Sequence, residues 1–359
     1  VISVPLSFFA GIGAASRYGI LVKGSNYLEK FHRANVFVFD KTGTLTKGNF
    51  VVTSIVPAAG VREEEVLRLA AIAERGASHP IAKSVIARYG KEVENGYSLT
   101  NAAGRGIIAS RGEETVLCGN EKLMAEHGVT LPQSSGTMTA ATAVHIARNG
   151  KFMGSLFIAD EVKPEAKEVI GALKGMNCRT VMLTGDNEAV AAEVAASLGV
   201  NGYKASLLPQ DKVAETEKLL AGKKKGDVVC FTGDGINDAP VLMRSDIGIA
   251  MGGIGSDAAI EAADIVLMRD DLRGISLAKR IAEKTMSIVL ENIVFSIAVK
   301  IVILLLSAFG LLGDYGMWVA VFGDVGVAVL AILNAMRVNT NYGETMPGRE
   351  KASARSSVV

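Results

Sequence analysis

The sequence predicts an α/β protein: a doubly wound parallel sheet, an α+β domain inserted after its first strand, and membrane helices at both ends. Three observations carry this reading. From residue 151 onward, short apolar runs alternate with helical segments, with strands expected at 152–158, 180–183, 227–231 and 247–251, the rhythm of a parallel sheet. One further apolar run, Val36-Phe37-Val38-Phe39, stands far upstream of the others, which calls for an insertion between them. Hydrophobic residues make up 49% of the 359 and mean hydropathy is +0.31, high for a soluble chain. The excess is gathered at the two ends.

Residues 1–15 are apolar and small, with Pro5, Gly11 and Gly13. They are too few to cross a bilayer alone. Arg17 and Lys23 follow, as at a helix leaving a membrane on its cytoplasmic side. No basic region precedes the apolar start at Val1, so the segment does not read as a signal peptide but as a membrane helix entered partway. At the other end, 293–312 and 315–336 are apolar runs of 20 and 22 residues, each with one charge, Lys300 and Asp324. Each is long enough for one crossing, and the short Gly313-Asp314 link makes them a hairpin. Arg337, Arg349, Lys351 and Arg355 return the tail to the cytoplasm. Cys118, Cys178 and Cys230 are scattered and read as reduced, buried thiols. A net charge of +1 points away from nucleic acid.

Chemistry concentrates after the first strand, in Asp40-Lys41-Thr42-Gly43-Thr44-Leu45-Thr46. Asp40 falls at a strand's carboxyl end, where open α/β sheets bind ligands. The Gly and Thr residues behind it let backbone N–H groups and hydroxyls crowd around an anion. A carboxylate so placed can attack a phosphoryl group. Three segments belong with it. Thr184-Gly185-Asp186-Asn187 follows a strand and offers a hydroxyl and backbone donors; Lys212 offers a positive charge; Gly233-Asp234-Gly235-Ile236-Asn237-Asp238 offers two carboxylates on a tight turn. Phosphoryl transfer is mostly positioning and charge neutralisation, so these are the parts it needs. Asp40, Asp234 and Asp238 give hard oxygen ligands suited to Mg²⁺, with Thr42 counted beside them, while Lys212 and Thr184 would hold the phosphoryl oxygens.

The order of these motifs resembles the haloacid dehalogenase superfamily, and DKTGTLT with GDGINDAP narrows the resemblance to P-type ATPases. Hydrolytic members of that superfamily carry a second Asp two residues after the nucleophile; here the position is Thr42. Without a local base to activate water, an aspartyl-phosphate should persist, which suits a pump better than a phosphatase. The resemblance implies phosphorylation-domain parts at 23–52 and 151–275, a nucleotide-binding domain at 53–150, membrane and stalk segments at 1–22 and 276–337, and a disordered cytoplasmic tail at 338–359. Glu74, Ser78-His79-Pro80, Gly104-Arg105-Gly106 and Cys118-Gly119-Asn120 look like the nucleotide domain of heavy-metal (type IB) P-type ATPases. That family places His79 and Glu74 on the adenine side, with Gly104, Gly106 and Asn120 shaping the pocket. Gly185 and Asp186 are assigned to the nucleotide as well. Ala77-Ser78 replaces part of the Ser-Glu-His-Pro consensus, so its Glu is missing.

Charges within spanning helices are costly, at least ~2.5–3.5 kcal/mol on insertion scales. Lys300 and Asp324 are either a salt bridge that holds the hairpin together or an ion site with Asp324 as ligand and Lys300 as counter-charge. Asn292, eight residues before Lys300, would lie about 12 Å away along a helix. Asn292, Lys300 and Asp324-Val325-Gly326 resemble the zinc/cadmium/lead-exporting subgroup, and carboxylate and amine chemistry suits a borderline divalent metal. The resemblance implies ATP and Mg²⁺ as cofactors, Zn²⁺, Cd²⁺ or Pb²⁺ as cargo, a multi-pass position in the cell membrane and cytoplasmic catalytic domains. It covers the carboxyl-terminal half of a full pump, so transport by this chain alone is not expected, though autophosphorylation is. Two other readings stay open: a membrane-anchored phosphatase of the same superfamily, and a nucleotide-binding fragment without transport.

Overall fold

The computed structural model describes residues 3–77, 80–102, 104–132, 141–234, 238–252, 257–339 and 342. Two sheets organise the part of the chain outside the apolar end segments. The first has seven strands in the order Ile20–Val22, Ile265–Leu267, Ile247–Met251, Val228–Gly233, Ala34–Asp40, Arg179–Leu183, Gly202–Lys204. All neighbours in it are parallel except the edge pair Ile20–Val22 with Ile265–Leu267. Strands buried on both faces need apolar residues at successive positions, and Ala34–Asp40 shows why the Val36–Phe39 run suits this place. Phe37 and Phe39 pack into one layer with Phe31 and Leu28, and Val38 packs into the other with Val181 and Phe231. Phe31 and Phe37 meet edge to face at 5.9 Å. The parallel α/β sheet with an inserted α+β unit is thus the observed fold class.

The second sheet is antiparallel with six strands, in the order Thr46–Pro57, Lys151–Val162, Thr142–Arg148, Glu114–Gly119, Gly106–Arg111, Ser98–Ala102. This corrects one expectation. The strand foreseen at 152–158 exists, but it runs antiparallel to Thr46–Pro57 and Thr142–Arg148, not within the parallel sheet. The chain passes between the sheets at Thr46 and again just after Val162, so both crossings sit against the loop that follows Asp40. Helix Glu63–Glu74 covers the second sheet through Val66, Leu69 and Ile72, which pack on Ile146, Leu156 and Ile158.

Helix Arg273–Ala308 has 36 residues, about 54 Å at 1.5 Å per residue. Its first turns bury Ile275, Leu277, Ala278 and Ile281 against the parallel sheet, whereas farther along Leu304 is 69% exposed. The stretches expected to be stalk and first membrane segment therefore form one rod. The second segment, helical from Gly316, is interrupted at Phe322–Gly326 by one wide turn that carries Asp324. Both segments are long and apolar enough to cross a membrane, and their outward residues, Phe309 and Trp318 among them, are apolar. Helix Ser3–Arg17 packs against both. The tail expected to be disordered falls outside the described residues, apart from 338, 339 and 342.

Phe37→Ala should cost about 3–5 kcal/mol by opening a cavity under the Asp40 strand. Denaturant unfolding of the detergent-solubilised chain checks this; a cost below about 1 kcal/mol would contradict the packing described.

Candidate active site

Asp40 ends its strand and is 6% exposed. The chain then turns sharply: Thr42 is extended and Gly43 is left-handed at φ 74°. Glycine is required there on two counts. Its φ disfavours any other residue, and a Cβ would stand 1.7 Å from Asp234 Oδ2. The backbone of the loop is thereby laid against the Asp234 carboxylate. Gly233 plays a similar part, since a Cβ there would meet Asp238 Oδ2 at 2.6 Å. Lys212, near the start of helix Pro209–Ala221, reaches across to both partners. Its Nζ lies 2.7 Å from Asp40 Oδ1 and 3.2 Å from Asp238 Oδ1. One ligand oxygen from each of Asp40, Asp234 and Asp238 lies within 4.8 Å of the others.

Three carboxylates against one ammonium leave the site electronegative. Burial first, then repulsion from Asp238, pushes Asp40 up to about 7, with Lys212 opposing. Asp234 is raised for the same two reasons, opposed in part by Lys163 and Lys212. At Lys212 burial works against the charge, but Asp40 and Asp238 outweigh it and raise its pKa. Burial of this kind disfavours charge unless a counter-ion is supplied. An all-oxygen, carboxylate-rich donor set of this size fits a small hard cation.

Behind Asp40 lies a second charged cluster, in which only Asp186 was an expected site residue. Lys41 is 4% exposed, and its Nζ lies 2.5 Å from Asp186 Oδ2 and 3.8 Å from Asp160 Oδ2. Thr46 Oγ1 sits 2.5 Å from Asp160 Oδ2 and accepts from the Gly43 N–H at 3.2 Å. Burial raises Asp160, against the pull of Thr46 and Lys41. Thr184 is 1% exposed, and its hydroxyl accepts from the Asp186 N–H at 3.1 Å, so it closes its own turn. Gly185 fits under the Leu207 carbonyl, 3.2 Å from where a Cβ would be. A cleft of about 150 Å³ opens here between the two sheets, lined by Lys41, Thr142, Asp160, Asp186 and Asn187. Thr42 is exposed at the loop surface. The Lys41 pairing could have been suspected from its place in the heptapeptide. Asp160 carried a weaker signal, a carboxylate just past an apolar strand.

In the second sheet, Glu74 ends its helix 4% exposed, with Cys118 Sγ 3.6 Å from its Oε1. Gly106 pairs with Gly119, and a Cβ on Gly106 would meet the Cys118 carbonyl at 2.2 Å. Asn120 donates to the Gly104 carbonyl at 3.0 Å and accepts from the Leu123 N–H at 3.2 Å. Glu74, Gly104, Gly106 and Asn120 thus gather at one end of neighbouring strands, with Asn120 pinning the turn. His79, with Ser78, lies outside the described residues, as do Gly235, Ile236 and Asn237.

In the apolar hairpin, Lys300 Nζ meets Asp324 Oδ1 at 2.9 Å. Asn292 is 2% exposed and donates to Ser7 Oγ at 3.2 Å and the Ala331 carbonyl at 3.0 Å; its own Oδ1 accepts from Asn334 at 3.0 Å. Asn334 went unnoticed in the sequence, although a polar amide in an apolar run was its signal.

Residues 34–246 match the haloacid dehalogenase-like hydrolase model, and the chain belongs to that family. Within it the likeness is to the P-type ATPases. The chain is 49% identical over 345 residues to the cadmium, zinc and cobalt-transporting ATPase of Bacillus subtilis (strain 168), covering 94% of this chain and 48% of that one. It is 47% identical over 343 residues to the zinc-transporting ATPase of Synechocystis sp., covering 94% and 46%. It superposes on the crystal structure of a zinc-transporting PIB-type ATPase in the E2.Pi state with a TM-score of 0.84 at 36% identity, covering 94% of this chain and 55% of that one. The chain spans about half the length of the curated relatives it matches.

Because Asp40 is raised in the fold from 3.8 to about 7, its burial stabilises the folded chain at low pH relative to high. That stability is present below the unfolded pKa and is lost as pH rises toward 7 and beyond. Asp40→Asn should therefore raise the thermal midpoint of the metal-free chain at pH 8 by several degrees, and by much less near pH 5, on the order expected of a few kcal/mol. Equal shifts at both pH values in differential scanning fluorimetry would contradict the burial argument.

Proposed function

We propose that this chain is the catalytic half of an ATP-driven exporter of a divalent heavy metal, Zn²⁺, Cd²⁺ or Pb²⁺, working through phosphorylation of Asp40. The observation that carries it is the convergence of Asp40 and Asp238 on Lys212, with Asp234 within 4.8 Å. An Asp40 oxygen attacks the γ-phosphorus of ATP; the bond to the β–γ bridging oxygen breaks and ADP leaves with that electron pair. Lys212 is placed to offset charge on the phosphoryl oxygens. Asp40, Asp234 and Asp238 would hold Mg²⁺, which supplies charge neutralisation for the transfer, with Thr42 beside them on the loop surface. Thr184 keeps the neighbouring turn rigid. No carboxylate follows two residues after Asp40 to activate water, since that position is Thr42; the phosphorylated state should last, which supports a pump over a phosphatase.

ATP would be presented by the second sheet, with Glu74 and His79 toward the base and Gly104, Gly106 and Asn120 shaping the turn; Gly185 and Asp186 border the inter-sheet cleft. The similarity to transporters named for zinc and cadmium supports the choice of cargo. So does the Lys300–Asp324 pair, placed in helices long enough to span a bilayer. In this reading Asp324 is an ion ligand and Lys300 the charge that takes the ion's place after release. The protein is a multi-pass membrane protein with cytoplasmic catalytic domains.

Asp40→Asn should abolish phosphorylation by ATP while leaving nucleotide affinity within about twofold, because it touches chemistry and not base recognition. Undiminished labelling of that variant would sink the assignment. In a chain extended to the length of its relatives, Asp324→Ala should remove metal-stimulated ATP turnover and spare nucleotide binding. Zn²⁺ stimulation surviving in that variant would refute the ion-site role.

A further inference from the structure

Beyond its pull on Asp234, Lys163 has no part in the chemistry above, yet it is 4% exposed. Its backbone N–H donates to the Leu45 carbonyl at 2.9 Å, and its Nζ donates to the Gly43 carbonyl at 3.1 Å. It therefore holds the Lys41–Leu45 loop at two points. The same Nζ forms an ion pair with Asp270. The next residue, Asp271, accepts from the Arg273 N–H at 3.0 Å and grips the Arg273 guanidinium, fixing the first turn of helix Arg273–Ala308. That helix runs on without a break to Lys300, about 40 Å farther at 1.5 Å per residue. Lys163 also follows directly on strand Lys151–Val162, where the chain leaves the second sheet. One buried ammonium thus touches the phosphorylation loop, the crossing between sheets and the root of the membrane rod.

We propose that Lys163 is a positioning residue that transmits movement of the loop behind Asp40 to the root of helix Arg273–Ala308 through Asp270; this rests on the reading of Asp40 as a phosphoryl acceptor. A buried ammonium cannot give up a partner without replacing it. When a group bonded to Asp40 displaces the Gly43 carbonyl, the Lys163 ammonium must readjust, and Asp270 with it. The link runs through the Lys163–Asp270 ion pair, the peptide bond to Asp271 and the Asp271–Arg273 contacts, a path through which coupling can pass and which only a coupling measurement can establish.

The test uses beryllium fluoride with Mg²⁺ as a phosphoryl mimic, read by hydrogen–deuterium exchange of the whole chain in detergent. In the unsubstituted chain the mimic should protect residues 41–46 and change exchange at 268–275, on the order of threefold or more. Lys163→Met should keep the first response and lose the second, and Lys163→Arg should restore it in part. Asp270→Asn, at a half-exposed position that tolerates substitution, should lose it as well. An unaltered response at 268–275 in Lys163→Met or Asp270→Asn would overturn the proposal, as would protection at 41–46 with none at 268–275 in the unsubstituted chain. No protection at 41–46 would instead overturn the phosphoryl-acceptor reading, and the proposal with it.

Discussion

One ammonium group shared between two buried carboxylates, with a third close by, is the constraint around which this molecule is built. Three carboxylates cannot all be ionised in a desolvated pocket on the strength of Lys212 alone, and Asp40 is accordingly raised to about 7. The fold tolerates the conflict because each member is held from a different direction. Asp40 comes from a strand end, Asp234 and Asp238 from the turn after the neighbouring strand, and Lys212 from a helix. Gly43 and Gly233 admit the carboxylates at distances no side chain would allow. A site that holds unbalanced negative charge by rigid packing is suited to a small hard cation.

Around that centre the architecture is economical. The inserted sheet leaves and rejoins the parallel sheet at the Leu45–Thr46 end of the loop that follows Asp40, so its position and the loop's shape are not independent. Lys41, Asp160, Asp186 and Thr46 tie the two sheets together at this crossing. On the membrane side, the rod Arg273–Ala308 starts on the parallel sheet and ends among apolar, outward-facing residues. The amides of buried Asn292 and half-buried Asn334 join it to the second segment. A polar pair inside an apolar packing favours one rotation and register because a slip breaks the bond between the amides and the one from Asn292 to the Ala331 carbonyl.

Much of the site was legible in the sequence because its residues lie on strand-end turns, and strand ends are marked by apolar runs followed by Gly, Asp and Thr. Asp40, Asp234 and Asp238 were found this way, Lys212 as a positive charge that phosphoryl transfer needs, and the structure brings the four together. The strand at 152–158 was found but placed in the wrong sheet. Its apolar run suits either partner, and what decides is a long-range pairing with Thr46–Pro57 that no local pattern encodes. Lys163 and its partners were missed for a similar reason: Gly43 is 120 and Asp270 is 107 residues away. A lone lysine after a strand looks like a solvated charge until the fold buries it. Asn334 was passed over because a single amide in a hydrophobic run has no meaning without the facing helix.

The measurement that tests the account most directly is the chemical nature of the group that ATP leaves on the chain. After incubation with Mg²⁺ and ATP labelled at the γ-phosphate, then acid quenching, the account predicts label on the peptide containing Asp40, stable in acid and released by hydroxylamine, as an acyl phosphate is. Label that resists hydroxylamine, or that maps to a serine or threonine, would contradict it.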